Sequence, residues 1–154
     1  MMKMLILAQN PKIPTNLSEP LKGTKSWTMF QRWLKQAQIP EEALEIKNCI
    51  AVVGASGDVR KLARTKLRNG GWLSEVIGYP VIVCLGQVAA EAIQETRDLY
   101  FPNVSEWDHY FIPHPSGLNR KLNDPEAHQE AVNQLRCAYE KLLTLKRYQF
   151  RMKP

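Results

Sequence analysis

The sequence predicts an α/β fold, a three-layer sandwich in which a four-stranded parallel sheet lies between helices. Two observations lead there. Short apolar runs at residues 3–8, 49–53, 80–85 and 109–112 alternate with segments whose apolar residues recur at helical spacing. The first three runs are continuously apolar rather than alternating, as in strands covered on both faces.

Each element has its own signal. Lys3-Met4-Leu5-Ile6-Leu7-Ala8 reads as a buried strand that Asn10-Pro11 ends. A polar loop with Pro11, Pro14, Pro20 and Gly23 follows to residue 26; a loop of that length in a small domain is usually functional or mobile. Thr24 or Ser26 is the expected cap of a helix over residues 25–38, where Trp27, Phe30, Trp33, Leu34 and Ala37 share one face as core packing. Pro40 to Leu44 suggests a single helical turn, and Cys49-Ile50-Ala51-Val52-Val53 the second strand. Residues 58–72 are helical and basic, with Arg60, Lys61, Arg64, Lys66 and Arg68, until Asn69-Gly70-Gly71 breaks them. That face suits either plain solvation or phosphate contact.

Pro80-Val81-Ile82-Val83-Cys84-Leu85 is the third strand, stopped by Gly86. Val88, Ala89, Ala92 and Ile93 then make a helix whose small residues allow close packing on the sheet. His109-Tyr110-Phe111-Ile112 is the fourth strand. Asp124 caps a last helix with Pro125 in its first turn, running to about residue 147 through Ala131, Leu135, Ala138, Leu142 and Leu145. The domain is expected to span 1–148, with 149–154 a fraying basic tail.

At 154 residues, 44% hydrophobic and 23% charged, the chain fits one globular domain. No apolar run reaches the roughly 18 to 20 residues of a membrane span. The apolar start is too brief for a signal peptide. Cys49, Cys84 and Cys137 are widely spaced, which suggests neither a disulfide framework nor a metal site and places the protein in a reducing, cytoplasmic setting. A net charge of +6 is compatible with nucleic acid without requiring it.

In such a sheet, ligands bind beyond the carboxyl ends of the strands. Those ends carry Gln9-Asn10-Pro11, Gly54-Ala55-Ser56-Gly57, Gly86-Gln87 and Pro113-His114-Pro115-Ser116-Gly117-Leu118-Asn119-Arg120. Few purely structural turns need that last mixture of histidine, serine, leucine, asparagine and arginine. The spacing of Gly54 to Gly57 is not that of a phosphate-binding P-loop, and no serine or cysteine sits in a nucleophile elbow. An amide and an imidazole, Asn10 and His114, can instead orient water and stabilise a departing anion without a metal.

These stretches resemble the uracil-DNA glycosylase superfamily over roughly residues 3 to 125. The anchors are Ala8-Gln9-Asn10-Pro11 and His114-Pro115-Ser116-Gly117-Leu118-Asn119-Arg120, supported by Pro20-Leu21-Lys22-Gly23-Thr24-Lys25-Ser26 and Val81 to Ala90. The resemblance is nearest to the mismatch-specific and single-strand-selective branches, which carry Asn where others carry Asp. It implies the same sandwich fold and a monomeric, monofunctional enzyme that flips a uracil or modified pyrimidine out of DNA and hydrolyses its N-glycosidic bond, with no cofactor.

Residue by residue, the resemblance implies that Asn10 positions water and His114 donates to the pyrimidine O2. Gln9, Leu21 and Ala51 line the base pocket. Lys22, Lys25, Ser26, Ser116, Gly117, Asn119 and Arg120 meet the DNA, and Leu118 fills the gap the base leaves. Leu21 stands where most branches place an aromatic ring, and Ala51 lies where an amide often reads the base; Asn48 and Ser56 are the nearest polar residues. The iron–sulfur branches need a fourth cysteine, so that cluster is not expected. Two other functions fit the same residues: a non-catalytic DNA-binding or protein-interaction module, and a nucleotide or nucleoside hydrolase.

Overall fold

A computed structural model of the chain describes residues 2–9, 11, 14–50, 53, 56–103, 109–116 and 119–152. Among them, the strands β1 (Met4–Ala8), β2 (Leu44–Asn48), β3 (Ile82–Leu85) and β4 (His109–Ile112) form one sheet in the order β2-β1-β3-β4. Every pairing is parallel: Ile6 lies opposite Ile46 and Val83, and Cys84 lies opposite Phe111. The helices are α1 (Lys25–Gln36), α2 (Ser56–Arg68), α3 (Leu73–Gly78), α4 (Gln87–Tyr100) and α5 (Pro125–Met152).

The period-two alternation of the strands divides the core into two layers. Met4, Ile6, Val83, Leu85 and Ile112 face α1 and α5, where Phe30, Trp33, Leu34, Leu135 and Leu142 cover them. Leu5, Leu7, Ile82 and Cys84 face the other way, against Val59 of α2, Val76 of α3 and Val88, Ala89, Ala92 and Ile93 of α4. The three-layer sandwich expected from the sequence is thus the observed fold.

The caps follow the sequence signals. Thr24 Oγ1 accepts from Trp27 N at 3.1 Å and donates to Leu21 O at 2.5 Å, so Thr24, not Ser26, starts α1. Such a cap contributes about 1 kcal/mol. Asp124 Oδ1 accepts from Glu126 N at 2.9 Å at the start of α5. That helix continues through the basic end to Met152, beyond the expected stop near residue 147.

The second strand is a correction. It is Leu44–Asn48; of the expected run 49–53, Cys49, Ile50 and Val53 are described and none of them is strand, while Ala51 and Val52 lie outside the described residues. Among the described residues β2 is an edge strand, so it reads Leu-Glu-Ile-Lys-Asn with only Leu44 buried, and lacks the continuous apolar pattern of a central strand. Cys49 and Ile50 are buried just beyond it, where Cys49 N and Ile50 N still donate to Ala8 O and Gln9 O. Trp72 Nε1 donates to Cys49 O at 2.9 Å and anchors this exit. The short α3 gave no signal of its own. Among the described residues no helix is long and apolar enough to cross a membrane.

Candidate active site

Strand order reverses on either side of β1, which opens a crevice at the carboxyl ends of β1 and β3. Gln9 leaves β1 there and Gly86 leaves β3. The loop after β4 brings His114 to the same place. Gln9, Gly86, Pro113, His114 and Asn119 line one cavity of about 260 Å³, together with Arg60 of α2, Gln87 and Val88 of α4, and Phe111 of β4.

His114 is held from two sides. Asn119 Nδ2 donates to His114 O at 3.1 Å, and Asn119 N donates to Ser116 O at 3.0 Å. On the other side Gly86 has φ +88°, and a Cβ there would come within 3.2 Å of His114 Cβ. Gly86 N also donates to Ile112 O at 2.9 Å, which ties the end of β3 to the strand that delivers the histidine. Glycine is needed here both for its backbone angle and for this close approach.

The cavity's cation comes from α2. Arg60 and Glu91 of α4 pair at 3.7 Å with both side chains well exposed. Arg64 lies one turn on, in a neighbouring groove with Glu91 and Glu95. The basic face of α2 therefore borders the crevice through Arg60, which at the same time pairs with Glu91 of α4.

The other proposed site residues divide into groups. Ser116 is half-buried in the histidine loop, and Arg120 is exposed at the start of the 3-10 turn Arg120–Asn123. Lys22 and Lys25 are exposed and Ser26 half-buried around the start of α1. Leu21 packs against the core layer facing α1 and α5, on the opposite side of the sheet from Phe111. Asn10, Ala51, Gly117 and Leu118 lie outside the described residues.

The loop preceding α1 is organised by Asn16, which is buried. Its Nδ2 donates to Glu19 O and Lys22 O, both at 2.8 Å. Its own carbonyl accepts from Asn48 Nδ2 at 2.8 Å. The loop is thereby pinned to the carboxyl end of β2, and Leu21 is held at φ 67°, a left-handed conformation uncommon for a leucine.

Three cavity residues carried only a general signal in the sequence: Arg60 as part of a basic face that suited solvation or phosphate contact, Gln87 at the exit of the third strand, and Phe111 as a strand residue. The signal for Phe111 was available. Strand alternation puts Phe111 on the face opposite Ile112, and an edge strand leaves such a residue partly uncovered; it is 45% exposed while Ile112 is fully buried.

The two remaining histidines have different surroundings. His128 accepts from Trp33 Nε1 at 3.0 Å through Nδ1 and meets Leu122 O at 2.8 Å through Nε2. With Nδ1 accepting, Nε2 is the nitrogen that donates, and the two bonds give the ring a packing role. His109 meets the buried Arg97. Burial pushes the Cys49 and Cys84 thiols up to about 12, which makes them poor nucleophiles. Among the described residues no group of three or more His, Cys, Asp or Glu is placed to hold a metal ion.

An imidazole fixed at the mouth of a crevice, beside carboxamides and a cation, can stabilise a leaving anion while the cation neutralises a phosphate. The chain matches the model of the family described as the uracil DNA glycosylase superfamily over residues 2–136. No curated protein matches it.

Proposed function

Because the chain belongs to the uracil DNA glycosylase superfamily, we propose that it is a monofunctional DNA glycosylase acting on uracil or a modified pyrimidine. The observation that carries this reading is the placement of His114, which Asn119 and Gly86 hold at the crevice formed by the ends of β1, β3 and β4.

The chemistry follows from that placement. Water attacks the sugar C1′ and gives up its proton to solvent, the bond from C1′ to the base nitrogen breaks, and the base departs with the bonding pair. His114 donates a hydrogen bond to the pyrimidine O2 and stabilises the anion as it forms. Asn10, next in the chain after Gln9, positions the water; an amide orients it without removing its proton strongly. Leu118 occupies the space the flipped base vacates, and Arg120 with Lys22 and Lys25 meets the DNA backbone.

The test is a base-release panel. Single- and double-stranded oligonucleotides, each with one uracil or one modified pyrimidine, are incubated with the protein and then cleaved at abasic sites with alkali. Cleavage of at least one oligonucleotide is expected. No cleavage anywhere, with folded protein, overturns the reading, and release from mononucleotides alone assigns a nucleotide hydrolase instead.

One observation favours a second reading, a DNA-binding module without catalysis. Leu21 stands where most branches carry an aromatic ring and is held against the core. Salt-dependent DNA binding with no base release identifies that case.

A further inference from the structure

Phe111 is the large aromatic ring on the wall of the His114 cavity, and it is 45% exposed. Its register partner Cys84 belongs to the core layer under α2 and α4, so the ring lies on that side of the sheet. Arg60 reaches the same cavity from α2. Its pairing with Glu91 is exposed and 3.7 Å long, the kind of contact that exchanges readily for a phosphate. Gln9, Gln87 and Asn119 supply carboxamides that can serve as donors or acceptors.

A ring beside a guanidinium, with adaptable amides around them, is the chemistry that holds an unpaired nucleotide with little regard to base identity. The cavity of about 260 Å³ suits a single nucleotide unit. Phe111 lies on the edge strand β4 and is 45% exposed, so a base can stack on its ring from the solvent side while the cavity holds the base that His114 serves.

We propose that Phe111 and Arg60 form a second nucleotide subsite beside His114, where an unpaired base adjoining the excised one stacks on the Phe111 ring and its phosphate meets the Arg60 guanidinium. The identity of the ligand as a nucleic-acid strand rests on the glycosylase reading. The subsite makes an unpaired strand the preferred substrate, because a neighbour base kept in a duplex cannot reach the ring.

The test measures binding, so it does not depend on catalysis. The probes are single-stranded oligonucleotides with one 2′-fluoro-2′-deoxyuridine, which resists hydrolysis, and with the adjoining nucleotides either intact or replaced by an abasic analogue on one side or the other. Wild type should bind the intact strand at least about tenfold more tightly than one of the abasic-flanked strands, a difference expected of one base–aromatic stack. Phe111→Leu should lose that difference and bind the abasic-flanked strand as wild type does, while Phe111→Trp should keep it. Phe111 lies outside the buried core, so Phe111→Leu is expected to fold, and its melting temperature checks this.

A Phe111→Leu protein that keeps the full difference overturns the subsite. So does a wild type that binds the strands equally or binds none of them. Base release is scored separately on ordinary substrate. Release by wild type with an unchanged difference in Phe111→Leu keeps the glycosylase reading and removes the subsite. No release, with the difference abolished, keeps the subsite and removes the enzyme.

Discussion

Gly86 and His114 are in contact across the ends of β3 and β4: a Cβ on Gly86 would stand 3.2 Å from the Cβ of His114. The backbone of one strand exit thus sets the position of the imidazole delivered by the next. Gly86→Ala should act twice. The φ of +88° costs about 1–3 kcal/mol for a residue with a side chain, and the added methyl displaces His114. Base release should therefore fall further than the loss of folded protein explains, while DNA binding holds. Melting temperature, binding and single-turnover release measured on one preparation separate the effects.

His128 should be structural. Trp33 Nε1 and Leu122 O both depend on its ring. His128→Ala leaves Nε1 of the buried Trp33 and the carbonyl of the half-buried Leu122 without their partner, a cost of about 1–3 kcal/mol each when desolvated. Urea denaturation should show the loss, whereas base release well below the melting temperature should stay near wild type.

The thiols give a pH-dependent prediction. Cys49 and Cys84 are buried and their thiols are raised from 9.0 to about 12. In the unfolded chain they ionise near the ordinary value, so their contribution to stability is complete below pH 9 and is lost progressively as pH rises from about 9 to about 12. At pH 8 a thiol reagent should modify exposed Cys137 rapidly, and Cys49 and Cys84 only as the protein unfolds. Counting the reacting thiols with and without denaturant checks this.

The fold was legible because central strands such as Met4–Ala8 and Ile82–Leu85 are apolar throughout, and because Thr24 and Asp124 mark helix starts. β2 was misplaced by one segment because an edge strand needs no apolar outer side, while Cys49 and Ile50 are buried without being strand. In the site, His114 and Asn119 were legible from a loop too rich in polar groups for a plain turn. Arg60 and Phe111 were not legible as neighbours, since they come together only where α2 and β4 meet at one cavity. Leu21 illustrates the reverse: its place in the motif is clear, yet the hydrogen bonds of Asn16 and Thr24 hold its loop so that it packs on the opposite core layer.

The central claim is that His114 stabilises the departing base. Single-turnover release from the best oligonucleotide of the panel, compared among wild type, His114→Ala and His128→Ala well below each melting temperature, tests it most directly. Losing a donor to a developing anion costs on the order of 100-fold or more, so His114→Ala should fall by that factor while His128→Ala stays near wild type. Equal rates for wild type and folded His114→Ala would contradict the account.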